Sequence, residues 1–185
     1  FDPNSPGSPE ANIYGLPFDT NSANLVIIPI PWDVTVSYSK GTAKGPKAVF
    51  DASFQVDLYD SYVNEAWKLG IAMDEIDMKI WKKSKLVRKD AESYLEMYIS
   101  GKTPDHHKSM KKMLKNINLS SEWLNNQVRK KALHFLNKRK SVALLGGDHS
   151  TPLGLMMALS EVYPEFGILQ IDAHADLRQA YEGFT

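Results

Sequence analysis

SVALLGGDHSTPLGLMMALSEVYPEFGILQI, residues 141–171, reads as a strand, a helix and a second strand. Ser141 to Leu145 and Phe166 to Ile171 are short apolar runs, and Pro152 to Val162 between them has the length and composition of one helix. Two strands joined through a single helix lie parallel, so the fold class is α/β with a mainly parallel sheet. Immediately upstream, Trp123, Leu124, Val128, Ala132, Leu133, Phe135 and Leu136 recur at three and four residues, which predicts an amphipathic helix over Ser120–Lys140. Its basic end, Lys138-Arg139-Lys140, complements the helix dipole.

Further out, Leu25-Val26-Ile27-Ile28-Pro29-Ile30 has the continuous branched apolar character of a strand covered on both faces. Pro29 argues against a central position there, because it cannot donate to a ladder. A long loop, 31–45, leads to Pro46, which suits the first turn of a helix running to about Phe54. Gly70-Ile71-Ala72-Met73 is a second strand candidate. Residues 1–24 carry Pro3, Pro6, Gly7, Pro9, Gly15 and Pro17 among Asn, Asp and Ser, and are expected to form an irregular arm. Residues 25–185 then make one α/β domain, interrupted at about 79–115 by a lysine-rich stretch expected to be an inserted surface element.

The chain has 185 residues, 43% of them hydrophobic, enough for one substantial core. Lys plus Arg and Asp plus Glu each number 22, so no global field draws the protein to nucleic acid or to a membrane surface. A small molecule or another copy of the chain is the expected partner. There is no cysteine, which removes disulfides and thiolate metal sites together. No stretch approaches the roughly 20 apolar residues of a spanning helix, and none resembles a cleavable leader, so the expected location is the cytoplasm.

Two segments carry chemistry. Gly146-Gly147-Asp148-His149-Ser150 and Asp172-Ala173-His174-Ala175-Asp176-Leu177-Arg178 each follow an apolar run. In a parallel sheet the loops at the carboxyl ends of the strands gather at one edge, where α/β proteins bind ligands. His149, Asp172, His174 and Asp176 can converge there. Alternate residues of an extended segment share a side, so Asp172, His174 and Asp176 are expected to face one centre. Nitrogen and carboxylate donors without sulfur suit Mn, Fe, Co, Ni or Zn, and a bridging carboxylate favours a pair of divalent ions. Each segment also has a plainer reading. The first can be a strand-to-helix turn capped by Asp148 or Ser150, and the second a solvated loop. His106 and His107 read as a solvated pair, His134 as a boundary residue, and Trp32 as core or as a pocket wall.

Gly-Gly-Asp-His-Ser followed by Asp-Ala-His-Ala-Asp-Leu-Arg resembles the first two metal-binding signatures of the ureohydrolase (arginase/agmatinase) family. The resemblance implies a three-layer α/β/α fold of arginase/deacetylase type, here incomplete and corresponding to the amino-terminal half. It implies two divalent ions, manganese as a rule with nickel-using relatives, and attack of a bridging hydroxide on a guanidino carbon to release urea and an amine. By the same resemblance His149 and Asp176 hold one ion, His174 the other, Asp172 bridges, and Asp176 with His149 serves catalysis, Asp176 by accepting a hydrogen bond from the nucleophile.

Ala175-Asp176-Leu177-Arg178 with Tyr181-Glu182-Gly183 is more similar to agmatinases than to arginases, implying a guanidino substrate such as agmatine in polyamine metabolism and a homo-oligomer, trimer or hexamer. Ile28 to Asp33 and Gly41 to Ser53 resemble the family's first strand and Gly-Pro helix start, with Phe50 a departure where many relatives carry Arg. The family's further bridging aspartates, from a Ser-x-Asp-x-Asp-type segment, and the histidine agmatinases use in proton transfer have no counterpart before Thr185, so this segment alone is expected to hold metal weakly. The alternatives are a metal-dependent deacetylase of the same fold, against which His149 and Asp176 argue, and a non-catalytic relative.

Overall fold

The computed structural model describes residues 1–8, 10–36, 39–177, 180 and 182–185. Three parallel strands form its sheet: β1 (Leu25–Ile30), β2 (Ile71–Met73) and β3 (Ser141–Gly146), in the order β2-β1-β3. Val26, Ile28 and Ile30 are fully buried, as the unbroken apolar run of β1 requires. Pro29 is tolerated in the middle strand for a definite reason. Pairing with β2 stops at Ile27↔Met73, so among the described residues only β3 lies alongside Pro29, through Leu145.

Among the described residues, four α-helices flank the strands. α1 (Gly45–Ala52) starts with Pro46 in its first turn. α2 (Met78–Ile99) is opened by Asp77, whose carboxylate accepts from the Lys79 N–H at 2.7 Å. α3 (Lys108–Leu136) and α4 (Leu153–Val162) follow. The core joins the β1 side chains to a stripe from α2 (Ile80, Val87, Ala91, Tyr94, Leu95) and one from α3 (Met110, Ile117, Leu124, Val128, Ala132, Phe135), with Ala158 of α4. Each fully buried aliphatic side chain in such a cluster contributes about 1.5–3 kcal/mol of transfer free energy.

The surface element expected at 79–115 is therefore corrected. Those residues form α2 and the start of α3, and they supply a large part of the core. α3 begins at Lys108 rather than at Ser120. The lysines mark only the outward faces of these helices, while the buried positions 80, 84, 87, 91 and 94 keep helical spacing beneath them. The described residues of the arm, 1–8 and 10–24, are irregular apart from a 3-10 turn at Ile13–Gly15, and Asn12 staples the arm to β2. The Asn12 amide oxygen accepts from the Met73 N–H at 2.8 Å and its NH2 donates to the Met73 carbonyl at 3.1 Å. Trp32 is fully buried in the core, so it is not a pocket wall.

A second correction concerns Phe166 to Ile171. This run is not a strand: no described residue pairs with its backbone, and Ile168, Leu169 and Ile171 are exposed. Apolar content marks a segment that can be covered in a sheet, but a strand exists only where a neighbouring ladder takes up its N–H and C=O groups. The parallel sheet rests instead on β1 with β2 and β1 with β3. Pro9, Arg178 and Tyr181, used in the sequence reading, lie outside the described residues.

α4 lies close against α3 because Gly154 and Ala158, one turn apart, are small. A methyl group on Gly154 would stand 2.6 Å from the Asn125 carbonyl oxygen and 2.6 Å from Val128 Cβ. Gly154→Ala is expected to force the helices apart and cost about 1–3 kcal/mol. Urea unfolding measures this; an unchanged midpoint would contradict the packing described.

Candidate metal centre

The loops after β1 and β3 meet at the carboxyl edge of the sheet. The Asp148 N–H donates to the Trp32 carbonyl at 2.8 Å, so the chain leaving β3 is bonded to the chain leaving β1. Gly147 makes this approach feasible. A Cβ there would fall 1.6 Å from the Trp32 oxygen, which no side chain could survive without backbone movement.

Asp148 is buried, and both its carboxylate oxygens are occupied within the protein. Oδ1 accepts from the Ser150 N–H at 3.1 Å and the Ser150 hydroxyl at 2.5 Å. Oδ2 accepts from the Thr35 N–H at 3.2 Å and the Thr35 hydroxyl at 3.3 Å. Asp148 thus fastens the two loops together, and its neighbour His149 is left projecting, with its side chain 60% exposed.

His149 Nδ1 lies 3.0 Å from Asp176 Oδ2 and 3.8 Å from Asp172 Oδ2. One ligand atom from each of His149, Asp172 and Asp176 falls within 4.8 Å of the others, a spacing suited to one metal ion. His174 stands outside this trio, its side chain 82% exposed, although its Nδ1 is 3.5 Å from Asp172 Oδ1. Asp172 accordingly turns one carboxylate oxygen toward each histidine.

The simple alternation expected for 172, 174 and 176 does not hold in detail, because the segment is bent rather than extended. The chain turns at 172–174, where the His174 N–H donates to Asp172 Oδ1 at 2.8 Å, and Asp176 has φ 51°, in the left-handed region that Asp tolerates better than most residues. Gln170, which the sequence did not single out, donates to the His174 carbonyl at 3.2 Å and to Asp176 Oδ2 at 3.4 Å, bracing the bend. Its position two residues before Asp172 is the only signal the sequence offered.

Two further residues escaped the sequence reading. Asp33, just past β1, accepts from the Gly41 N–H at 2.8 Å and the Ala43 N–H at 3.4 Å, closing the long loop. Thr35 is the partner of Asp148. His106 and His107 belong to no ligand cluster among the described residues, and His134 packs edge-on against Phe135. Glu182 and Gly183 form a turn, and Tyr94 donates to the Glu182 carbonyl at 2.8 Å. A cleft of about 700 Å³ lies between the arm and residues 54–67, and none of its lining residues comes from the two loops.

The sequence matches the arginase family over residues 23–185. The chain belongs to that family. Among curated proteins, this arginase-family chain is 27% identical over 161 residues to an N(1)-aminopropylagmatine ureohydrolase of Thermus thermophilus. It is 30% identical over 162 residues to one of the same name from Synechocystis, and 27% identical over 161 residues to an agmatinase of Halalkalibacterium halodurans. Each alignment covers 87% of this chain and 43% of the relative, so the chain spans under half the length of the curated relatives it matches. No solved structure matches it. No helix among the described residues is long and apolar enough to cross a membrane.

The electrostatics of the trio give a direct test. The His174 backbone N–H, and then the nearby His149 and His174 side chains, hold the Asp172 carboxyl below its ordinary value of 3.8. A carboxyl depressed in the folded state adds stability above its unfolded pKa, and that stability is lost as pH falls through the folded pKa. Asp172 is expected to titrate below 3.8 in the metal-free protein, followed by 13C NMR of its carboxyl carbon; a midpoint at or above 3.8 would contradict the local geometry.

Proposed function

We propose that this arginase-family chain carries part of the active site of a binuclear metal-dependent hydrolase. The reaction adds water across a C–N bond of a guanidino compound and releases urea and an amine. The observation that supports it most is the meeting of His149, from the loop after β3, with Asp172 and Asp176, from a separate loop, in one oxygen and nitrogen cluster open to solvent.

The donor set fits the group it would hold. It contains imidazole and carboxylate and no sulfur, as expected for Mn or Ni, and manganese is the ion favoured by the resemblance. His149 and Asp176 would hold one ion and His174 the second, while Asp172, with one oxygen toward each histidine, would span both. Divalent ions at such a site, when bound, supply Lewis-acid activation of water and neutralise developing negative charge.

The chain's own side chains do the rest. Asp176, close to His149 and braced by Gln170, would accept a hydrogen bond from the attacking water and keep it aligned. Asp172 keeps its charge to low pH, so it stays available as an anionic ligand across the physiological range. The substrate class is drawn from the names of the relatives, agmatinase and N(1)-aminopropylagmatine ureohydrolase, which point to a linear guanidino amine of agmatine type.

The test is a urea-release assay across guanidino amines, paired with elemental metal analysis, on the full-length protein. The expected result is about two divalent ions per chain and urea from an agmatine-like substrate. His149→Ala and Asp172→Ala should lower metal content, and Asp176→Asn should reduce turnover by about 10²–10⁴-fold. A full-length protein that takes up no divalent ion and releases no urea from any substrate, or a His149→Ala variant with undiminished metal and activity, would contradict the reading.

A further inference from the structure

Arg88 lies in the middle of α2 with its side chain only 13% exposed, whereas Lys79, Lys82, Lys85 and Lys89 of the same helix are exposed. Its Nη1 donates to the Val34 carbonyl at 3.0 Å and to the Val36 carbonyl at 2.6 Å. Nε donates to Glu92 at 3.2 Å, and Glu92 is in turn paired with Lys40 from the far end of the same loop. Thr35, the residue between the two carbonyls, turns both its N–H and its hydroxyl the other way, onto Asp148 Oδ2. The segment 34–36 is therefore gripped from both sides, by a guanidinium on α2 and by the carboxylate that directly precedes His149.

We infer that Arg88 and Asp148 are a pair of positioning residues, clamping residues 34–36 between α2 and the loop after β3 so that His149 is held facing Asp172 and Asp176. The inference rests on the reading of His149 as a metal ligand. Neither residue belongs to the ligand trio: the Asp148 oxygens each accept two hydrogen bonds, and Arg88 directs Nε to Glu92 and Nη1 to the two carbonyls. Lysine could not replace Arg88, since a single ammonium lacks the planar fork that reaches two carbonyls and a carboxylate at once. Groups of this kind orient a ligand before the ion arrives, and their loss is felt as weaker binding rather than as a missing donor.

The experiment is a calorimetric titration of the full-length protein with Mn2+, with the thermal melting of each metal-free variant recorded alongside. Arg88→Met keeps the aliphatic packing, Asp148→Asn keeps the shape but turns one acceptor oxygen into a donor, and Thr35→Val removes only the hydroxyl between them. Each is expected to raise the Mn2+ Kd, the first two by about 10–100-fold. The double variant should bind no more than marginally worse than the weaker single, because both act through the segment 34–36. Variants that melt earlier but bind Mn2+ with the parent Kd would show a role in folding alone and overturn the inference, as would a double variant whose losses multiply in full. If His149→Ala weakens Mn2+ binding while Arg88→Met and Asp148→Asn do not, the metal site stands and the clamp falls. A parent protein that takes up no Mn2+ would bring down both. Should the other two variants fail to fold, Thr35→Val decides alone: a raised Kd supports the clamp, and the parent Kd overturns it.

Discussion

The contact on which this structure turns is the one between the Trp32 carbonyl and the backbone of Gly147 and Asp148. Parallel pairing of β1 with β3 brings the carboxyl ends of both strands to one edge, but only a residue without a side chain lets the two departing chains touch. Once they touch, the N–H of Asp148 is satisfied by Trp32 and its carboxylate can reach Thr35. His149, the next residue, has its direction set by that bond. A glycine, a carbonyl and a buried carboxylate thus determine where an exposed imidazole points.

The site and the core make opposite demands on the chain. The core of α2, α3, α4 and β1 is apolar and closely packed, down to the small residues Gly154 and Ala158 that let α4 approach α3. At the sheet edge the same chain presents charged, largely solvent-exposed donors that do not bury one another's charge. Their arrangement depends on hydrogen bonds to the backbone, at Asp172, Gln170 and Asp148, rather than on packing. Backbone hydrogen bonding can hold such a cluster open to a small ligand while the core beneath it supplies the stability.

Much of this was legible in the residue order. β1, α1, β2, β3 and α4 fall within one or two residues of where apolar runs, Pro46 and Pro152 put them. The Gly-Gly-Asp-His-Ser and Asp-x-His-x-Asp segments announced a shared edge, and the loops do meet there. Two features misled. Lysine content hid the buried stripe of α2, although its helical period was present from Ile80 to Leu95. The apolar run 166–171 looked like a strand because composition reports what a segment can bury, whereas pairing depends on a neighbour that local sequence does not name. The bracing by Thr35, Arg88 and Gln170 was invisible for a similar reason: Thr35 and Arg88 act across 113 and 52 to 54 residues of chain, and Gln170 acts only through a bend.

The central claim is that the two loops form a divalent-metal site. Anomalous diffraction from crystals of the full-length protein grown with Mn2+ tests it most directly. The account predicts a manganese peak within bonding distance of His149 and Asp176, with Asp172 contacting it as well. Anomalous maps empty at that edge, or a peak bound elsewhere while His149 still points into solvent, would contradict it.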